Sequence, residues 1–199
     1  YERFFAEKLT EAQNVIHITM ARHVSKGYEN ALEAAKSFEN VTVLDSGHLS
    51  SSMGLVVLHA VTMAENHASK TEIVDAVKKL RHYISSAFII DSTHMMCRSG
   101  RLPKRIQILC DALLLHPVIV LKKSKMVVGS MEMGDFSHVA KRYIRKVLRE
   151  TRSIDRRILF ITYSGMDEKR INYVQYLVQQ YCPFERIYLQ KASSAIASN

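Results

Sequence analysis

The segment that most constrains the fold of this 199-residue chain is residues 15–46. An apolar run, a polar turn at residues 21–25, an amphipathic helical pattern and a second apolar run ending in Asp45 follow one another here. Strand, turn, helix and strand in this order indicate a parallel βαβ unit. Ligands of such units bind beyond the carboxyl ends of the strands. We therefore expect the turns at residues 21–25 and 45–52 to share one ligand-binding rim.

Apolar and amphipathic runs continue this alternation along the chain. The loop at residues 98–104 is basic, residues 122–125 suggest a hairpin turn, and Ser69 is a predicted N-cap. We predict helices at residues 2–12, 26–38, 53–67, 70–85, 106–115, 136–151 and 167–181, and strands at residues 15–20, 41–44, 87–90, 117–121, 126–128, 158–162 and 186–189.

The alternation predicts an α/β fold. We expect a first lobe with a parallel sheet at residues 1–113 and a second lobe with a hairpin and a mixed sheet at residues 114–199.

Composition limits the classes of protein to consider. Apolar residues make up 47% of the chain and only three residues are proline, which is typical of a globular protein. The longest apolar run, at residues 112–121, is far shorter than the roughly 20 residues of a membrane span, and no signal peptide is visible. Three cysteines without CxxC spacing argue against a disulfide framework or a zinc site, and favour a cytoplasmic location.

The net charge is +9, and eight lysines and arginines fall within residues 141–157, most of them in the predicted amphipathic helix at residues 136–151. A basic helix face of this kind is either simply solvated or a docking surface for an acidic partner or a membrane. No helix-turn-helix, zinc-finger or RNP pattern accompanies it, so nucleic acid is not an expected partner.

Several short motifs resemble those of the DegV family of bacterial fatty-acid-binding proteins. The order and spacing of these motifs agree with the family from about Phe4 onwards. The motifs are Val24, Ser25, Tyr28 and Ala31; Val43-Leu44-Asp45-Ser46; the turn at residues 47–54; Ser99-Gly100-Arg101-Leu102; and Leu113-Leu114 with His116-Pro117-Val118-Ile119.

The resemblance implies a two-lobed DegV-like (EDD) fold with a lipid tunnel between the lobes. It further implies non-enzymatic binding of a fatty acid or similar amphiphile without a cofactor or metal, and a fatty-acid kinase as a protein partner. The ligand-binding positions implied or suggested here are Thr19, Ala21, Arg22, His23, Ser25, Ser46, His48, Ser50, Thr93 and Asn199.

This chain departs from the family at three polar positions. The paired serines of the first turn fall on Ala21 and Arg22, and Arg22 either clamps an anion or is exposed while Ser25 caps the helix. The stretch that carries an arginine in the family carries Glu132 and Asp135 here, which would repel an anionic headgroup. Asn199 stands where the family has a histidine.

Other readings of the sequence remain open. His23 and His48 are placed to meet near Asp45 as a metal or acid/base group, whereas His17 lies in a predicted strand and is expected to be a core residue. No nucleophile elbow, P-loop or dinucleotide motif nominates an enzyme. The alternative to lipid binding is a sensory or interaction domain that uses the basic helix.

Overall fold

A computed structural model describes residues 1–98, 100, 103–150 and 153–193. Within them the elements alternate as in an α/β fold, which confirms the predicted fold class. They are α1 (Glu2–Leu9), β1 (Val15–Thr19), α2 (Gly27–Ala35), β2 (Val41–Asp45), α3 (Ser50–Glu65), α4 (Lys70–Leu80), β3 (Ala87–Ile89), α5 (His94–Arg98), α6 (Lys104–Ala112), β4 (Leu115–Lys122), β5 (Lys125–Met133), α7 (Phe136–Glu150), β6 (Ile158–Tyr163), α8 (Glu168–Tyr181) and β7 (Arg186–Lys191).

The chain forms two compact units. Among the described residues, the first contains residues 1–87 and 120–127, and the second contains residues 88–119 and 128–193. The predicted boundary after residue 113 therefore falls inside the second unit. The chain returns to the first unit at the β4–β5 turn, where Leu121 donates a backbone hydrogen bond to Ser86 at 3.3 Å.

A parallel βαβ unit forms the centre of the first unit. Strands β1 and β2 pair in parallel from Val15 opposite Val41 to Thr19 opposite Asp45, which confirms the predicted arrangement. Successive residues of β2 face opposite sides of the sheet. Val43 packs with α1 and α2, and Leu44 packs with α3 and α4, so the strand is buried on both faces.

His17 of β1 lies against aromatic rings at the N-terminus, but it is half-buried and not fully enclosed in the core as expected. Its ring contacts those of Tyr1 and Phe5 edge-on, with centroids 5.4 and 5.3 Å apart. Burial lowers the pKa of His17, because the charged ring loses hydration there.

A second parallel strand pair organises the other unit. Strand β6 pairs with β7 from Ile158 opposite Arg186 to Tyr163 opposite Lys191, and the intervening helix α8 packs with α7. Ala140, Ile144, Leu177 and Val178 belong to the buried cluster between these helices. Burial also raises the pKa of Tyr143 to about 12.

The predicted hairpin is present as β4 and β5. Lys123 and Ser124 have φ of 50° and 62°, which is the geometry of a two-residue type I′ turn. The strand order in this sheet is β3-β4-β5. The short helix α5 was not predicted, because five residues carry too little periodicity to distinguish a helix from a loop.

Among the described residues, no helix combines the length and the apolar character that crossing a bilayer requires.

The predicted cap at Ser69 is confirmed as a capping box. The Ser69 hydroxyl accepts a hydrogen bond from the Glu72 backbone N–H, and the Glu72 carboxylate accepts one from the Ser69 backbone N–H at 2.8 Å. We expect Ser69→Ala to lower the free energy of unfolding by about 1 kcal/mol in urea titrations, because the backbone N–H of Glu72 in α4 loses its side-chain partner. Thr71→Ala, two residues further along the chain, is the control. An equal loss of unfolding free energy in both variants would contradict the role of the cap.

Candidate functional site

Two polar turns meet at the carboxyl ends of β1 and β2. The Ala21 N–H donates to the His48 carbonyl at 2.7 Å, and the Ser46 N–H donates to the Thr19 carbonyl at 3.1 Å. The sequence-based expectation that both turns form one rim is therefore confirmed. We call the set of residues 19–25 and 45–52 the rim.

The carboxylate of Asp45 lies at the centre of the rim, with a side chain only 4% exposed. Its Oδ1 accepts the backbone N–H groups of Gly47 at 2.9 Å and Arg22 at 3.2 Å, and its Oδ2 accepts Arg22 Nε at 3.1 Å. Arg81 adds a hydrogen bond from Nη1 to the Asp45 carbonyl at 3.1 Å. The buried charge is thus neutralised and hydrogen-bonded, as a buried carboxylate requires.

Arg22 combines features of the two roles considered for it. Its side chain is 46% exposed, and its Nε is committed to Asp45. The guanidinium also lies over the Tyr28 ring, with Cζ 4.5 Å from the ring centroid. Two fixed contacts hold the guanidinium plane, so the rest of the group is pre-oriented beside the turn.

His48 is a buried structural residue of the rim. Its Nε2 lies 2.8 Å from the Arg81 carbonyl, which can only accept, so we assign the proton to Nε2 and have Nδ1 accept from the Ser86 hydroxyl at 3.3 Å. The Ser46 hydroxyl accepts the His48 N–H and donates to the His48 carbonyl, both at 3.1 Å. Burial lowers the pKa of His48.

The proposed meeting of His23 and His48 is not observed. Both ring nitrogens of His48 are used by Arg81 and Ser86, whereas His23 is exposed on the other turn. Within the described part of the chain, no group of three or more His, Cys, Asp or Glu side chains is arranged to hold a metal ion.

The serines of the rim lie at helix starts. The Ser25 hydroxyl accepts the Gly27 N–H at 3.0 Å, but Ser25 lies one residue before the N-cap of α2, which is Lys26. Ser50 begins α3 with a φ of 51°, in the left-handed region, and is half-buried. Ser52 donates to the Leu49 carbonyl at 2.6 Å.

Burial divides the predicted rim residues into two groups. Four have side chains that are buried beneath the surface of the rim: Thr19, Ala21, Ser46 and His48. Four are exposed or half-buried and face outward: Arg22, His23, Ser25 and Ser50.

Of the two remaining predicted positions, only Thr93 is among the described residues. Thr93 is 2% exposed in the second unit, and its hydroxyl lies 3.5 Å from an Asp111 carboxylate oxygen. Asn199 lies outside the described residues, as do Ser99, Arg101 and Leu102 of one family-like motif.

In the second unit, the acidic residues Glu132, near the end of β5, and Asp135, just after it, have cationic and amide partners. Arg142 of α7 donates from Nε to Glu132 at 3.0 Å and from Nη2 to the Met133 carbonyl. Asp135 accepts the N–H groups of Ser137 at 2.9 Å and His138 at 3.2 Å, and pairs with the His138 ring, which lowers the pKa of Asp135. Sequence reasoning missed Arg142 as the partner of Glu132, and missed Arg81 and Ser86, because contacts distant along the chain leave no local pattern.

The first unit also has a surface cavity of about 400 Å³ beside β1, lined in part by Phe4, Ile16, Ile18 and Val57. It is open and does not include the rim residues.

We expect Asp45→Asn to reduce the free energy of unfolding by about 2 kcal/mol, because the amide cannot neutralise Arg22 and turns a donor toward its Nε. Chemical denaturation measures the change. The control is Asp75→Asn on the exposed face of α4, which should shift stability by no more than about 0.5 kcal/mol. Similar losses in both variants would show that the rim does not depend on the Asp45 carboxylate.

The lowered pKa of His48 predicts acid sensitivity. The unfolded imidazole, with a pKa near 6.5, binds protons more readily than the folded one, so stability falls as pH drops below about 6.5 and stops falling once pH is below the folded pKa. We expect His48→Gln to flatten the dependence of unfolding free energy between about pH 7.5 and 5.5, with residual slope from His17, whose pKa is also lowered. The exposed His59→Gln is the control; an unchanged slope in His48→Gln contradicts the assignment.

Comparison with known proteins identifies the family. A family model described as an uncharacterised protein of the DegV family matches residues 1–199. A DegV domain-containing protein of Staphylococcus aureus strain N315 is 26% identical over 117 residues, covering 58% of this chain and 42% of that protein. The chain spans about half the length of the curated relatives it matches.

Solved structures share the fold over nearly the whole chain. A structure described as fatty acid binding of a DegV family protein from Thermus thermophilus is 24% identical, with a TM-score of 0.80 over 99% of this chain and 70% of that one. The Fatty Acid Kinase (Fak) B3 protein of Streptococcus pneumoniae, loaded with linoleic acid, is 15% identical, with a TM-score of 0.81 over 99% of this chain and 71% of that one. With the family model matching throughout, this chain belongs to the DegV family.

Proposed function

We propose that this chain binds a fatty acid or a similar long-chain amphiphile without transforming it. The observation that carries the proposal is the match of 99% of the chain, at a TM-score of 0.81, to a protein loaded with linoleic acid. Because sequence identity to that protein is only 15%, we propose the ligand-contacting residues from the contacts of this chain's own side chains.

The outward-facing rim residues are the proposed contacts for the headgroup. The guanidinium of Arg22, fixed by Asp45 and Tyr28, is suited to a carboxylate, since its planar donors pair with two oxygens. Ser25 and Ser50 add hydroxyl groups at the starts of α2 and α3. The buried rim residues act as positioning groups, because their side chains have no free surface to offer a ligand.

The second unit exposes several large apolar side chains. On α6, Ile108 is 59% and Leu109 50% exposed; on β5, Val128 is 61% and Met133 63% exposed. Where exposed apolar side chains form a contiguous patch, the patch usually marks a binding surface. Methionine side chains also adapt their shape to flexible ligands.

Binding rather than catalysis fits the chemistry of the rim. Asp45 is neutralised by Arg22, and both ring nitrogens of His48 are hydrogen-bonded, so neither group is poised to accept a proton from a ligand. We also propose a cytoplasmic location, for which the free cysteines Cys97, Cys110 and Cys182 provide support.

We further propose a fatty-acid kinase as a protein partner. The support is the fold shared with the Fatty Acid Kinase (Fak) B3 protein.

Glu132 and Asp135, which the sequence suggested would repel an anionic headgroup, are each paired with a neighbouring group, Glu132 with Arg142 and Asp135 with His138. Their negative charge therefore opposes the binding of an anionic headgroup less than the sequence implied.

Native mass spectrometry of the purified chain, followed by denaturing extraction, tests the proposal directly. We expect a bound species of fatty-acid mass, or its appearance after incubation with oleate and removal of free lipid. A protein that stays free of ligand under both conditions would overturn fatty-acid binding by this chain.

Arg22→Ala tests the headgroup assignment. We expect binding of a fluorescent fatty acid to weaken by about 1.5–3 kcal/mol, because a charge-assisted hydrogen bond is lost. Lys26→Ala removes an exposed cation at the adjacent N-cap position of α2 and should leave the affinity near that of the unmodified protein. Unchanged binding in Arg22→Ala would confine Arg22 to its structural contact with Asp45.

A further inference from the structure

The outward side of α7 is strongly basic. Its exposed cations are Lys141, Arg142, Arg145, Lys146 and Arg149, which we call the basic face. The opposite side of the helix is committed to the core, where Val139, Ala140 and Ile144 are 0%, 1% and 8% exposed. The expected amphipathic helix is thus confirmed, and the basic face is its solvent side.

The arrangement of these cations weakens the helix that carries them. Lys141, Arg145 and Arg149 follow one another at spacings of four residues, as do Arg142 and Lys146, and like charges at this spacing repel. Intramolecular contacts compensate two of the five. Arg142 pairs with Glu132 at 3.0 Å, and Arg149 lies over the Tyr181 ring at 5.1 Å.

The other three cations have no such compensation from the side chains that the structure describes. In the parts of the chain that the structure describes, no ion pair or hydrogen bond involves the side chains of Lys141, Arg145 or Lys146. Three cations on two adjacent turns of a helix, none of them paired with a described side chain, favour an anionic partner, because a partner's charges would relieve their mutual repulsion.

The residues on and around the basic face favour one class of anionic partner over the others. A helix that inserts into a bilayer needs an apolar side free for lipid, and the apolar side of α7 packs against α8 and neighbouring residues. Binding to single-stranded nucleic acid uses exposed aromatic rings, whereas Tyr143 of this helix packs against the core. Carboxylates fit best, and Arg142 already binds one in Glu132.

We propose that the basic face of α7 is a docking surface for a carboxylate-rich face of another protein. The inference is independent of fatty-acid binding, since none of its residues belongs to the rim or to the exposed apolar groups of α6 and β5. An acidic protein surface would place carboxylates opposite Lys141, Arg145 and Lys146, with the helix as a rigid platform.

The test compares two glutamine triples. Lys141→Gln/Arg145→Gln/Lys146→Gln removes the three free cations, and Lys70→Gln/Lys78→Gln/Lys79→Gln removes three cations from α4 as a charge-matched control. Binding of fluorescent poly-L-glutamate, phosphatidylglycerol vesicles and a short DNA duplex is measured by titration at low salt and at about 0.15 M salt. Circular dichroism and fatty-acid retention are recorded for each variant.

We expect the α7 triple to weaken poly-L-glutamate binding about tenfold or more and the α4 triple to change it far less. Equal weakening by both triples would assign the binding to diffuse net charge and overturn the proposal. It is also overturned if the unmodified chain does not bind poly-L-glutamate, or if vesicles or DNA bind more tightly and depend on the α7 cations.

Two further readouts keep the result interpretable. If the α7 triple does not fold, Arg145→Gln alone should still weaken poly-L-glutamate binding severalfold, and no change there would overturn the proposal. Fatty-acid retention should be the same in both triples and the unmodified chain, so a failure of amphiphile binding is recognised separately from a failure of docking.

Discussion

The contact between Asp45 and Arg22 is the interaction on which the rim depends. Asp45 ends β2, and its side chain is only 4% exposed, so the carboxylate has lost most of its hydration. Arg22 and the backbone N–H groups of both turns replace that hydration. A carboxylate that must be satisfied in this way fixes the position of each turn relative to the other.

The same contact links structure to the proposed function. An arginine held only by its own flexible stem would lose side-chain entropy on binding an anion. Here the Arg22 guanidinium is held by Asp45 on one edge and by the Tyr28 ring on one face, so much of that cost is met during folding. Thr19, Ala21, Ser46 and His48, closed to solvent, complete the support behind it. The rim is thus a rigid, partly cationic edge with hydroxyl groups at the starts of two helices.

Sequence reasoning was most successful where a signal is local. The parallel pairing of β1 with β2 follows from the strand–helix–strand pattern, and the capping box at Ser69 follows from the spacing of Ser69 and Glu72. The hairpin at Lys123 and Ser124, and the amphipathic character of α7, were also predictable from short windows. Helix ends were less accurate, and α5 was missed, because a single short turn of helix has no repeating pattern.

By itself, the sequence determined the α/β class, the order of the elements, the rim as a place where two turns meet, and the excess of positive charge on one helix, because periodicity and spacing are properties of short segments. Only the tertiary structure decided which side chains the rim leaves free. Sequence reasoning gave no sign that Arg22 pairs with Asp45, that Arg81 and Ser86 occupy the ring of His48, or that Arg142 pairs with Glu132. These partners lie ten or more residues apart in sequence, and burial of charged and polar groups selects them only when the chain has folded.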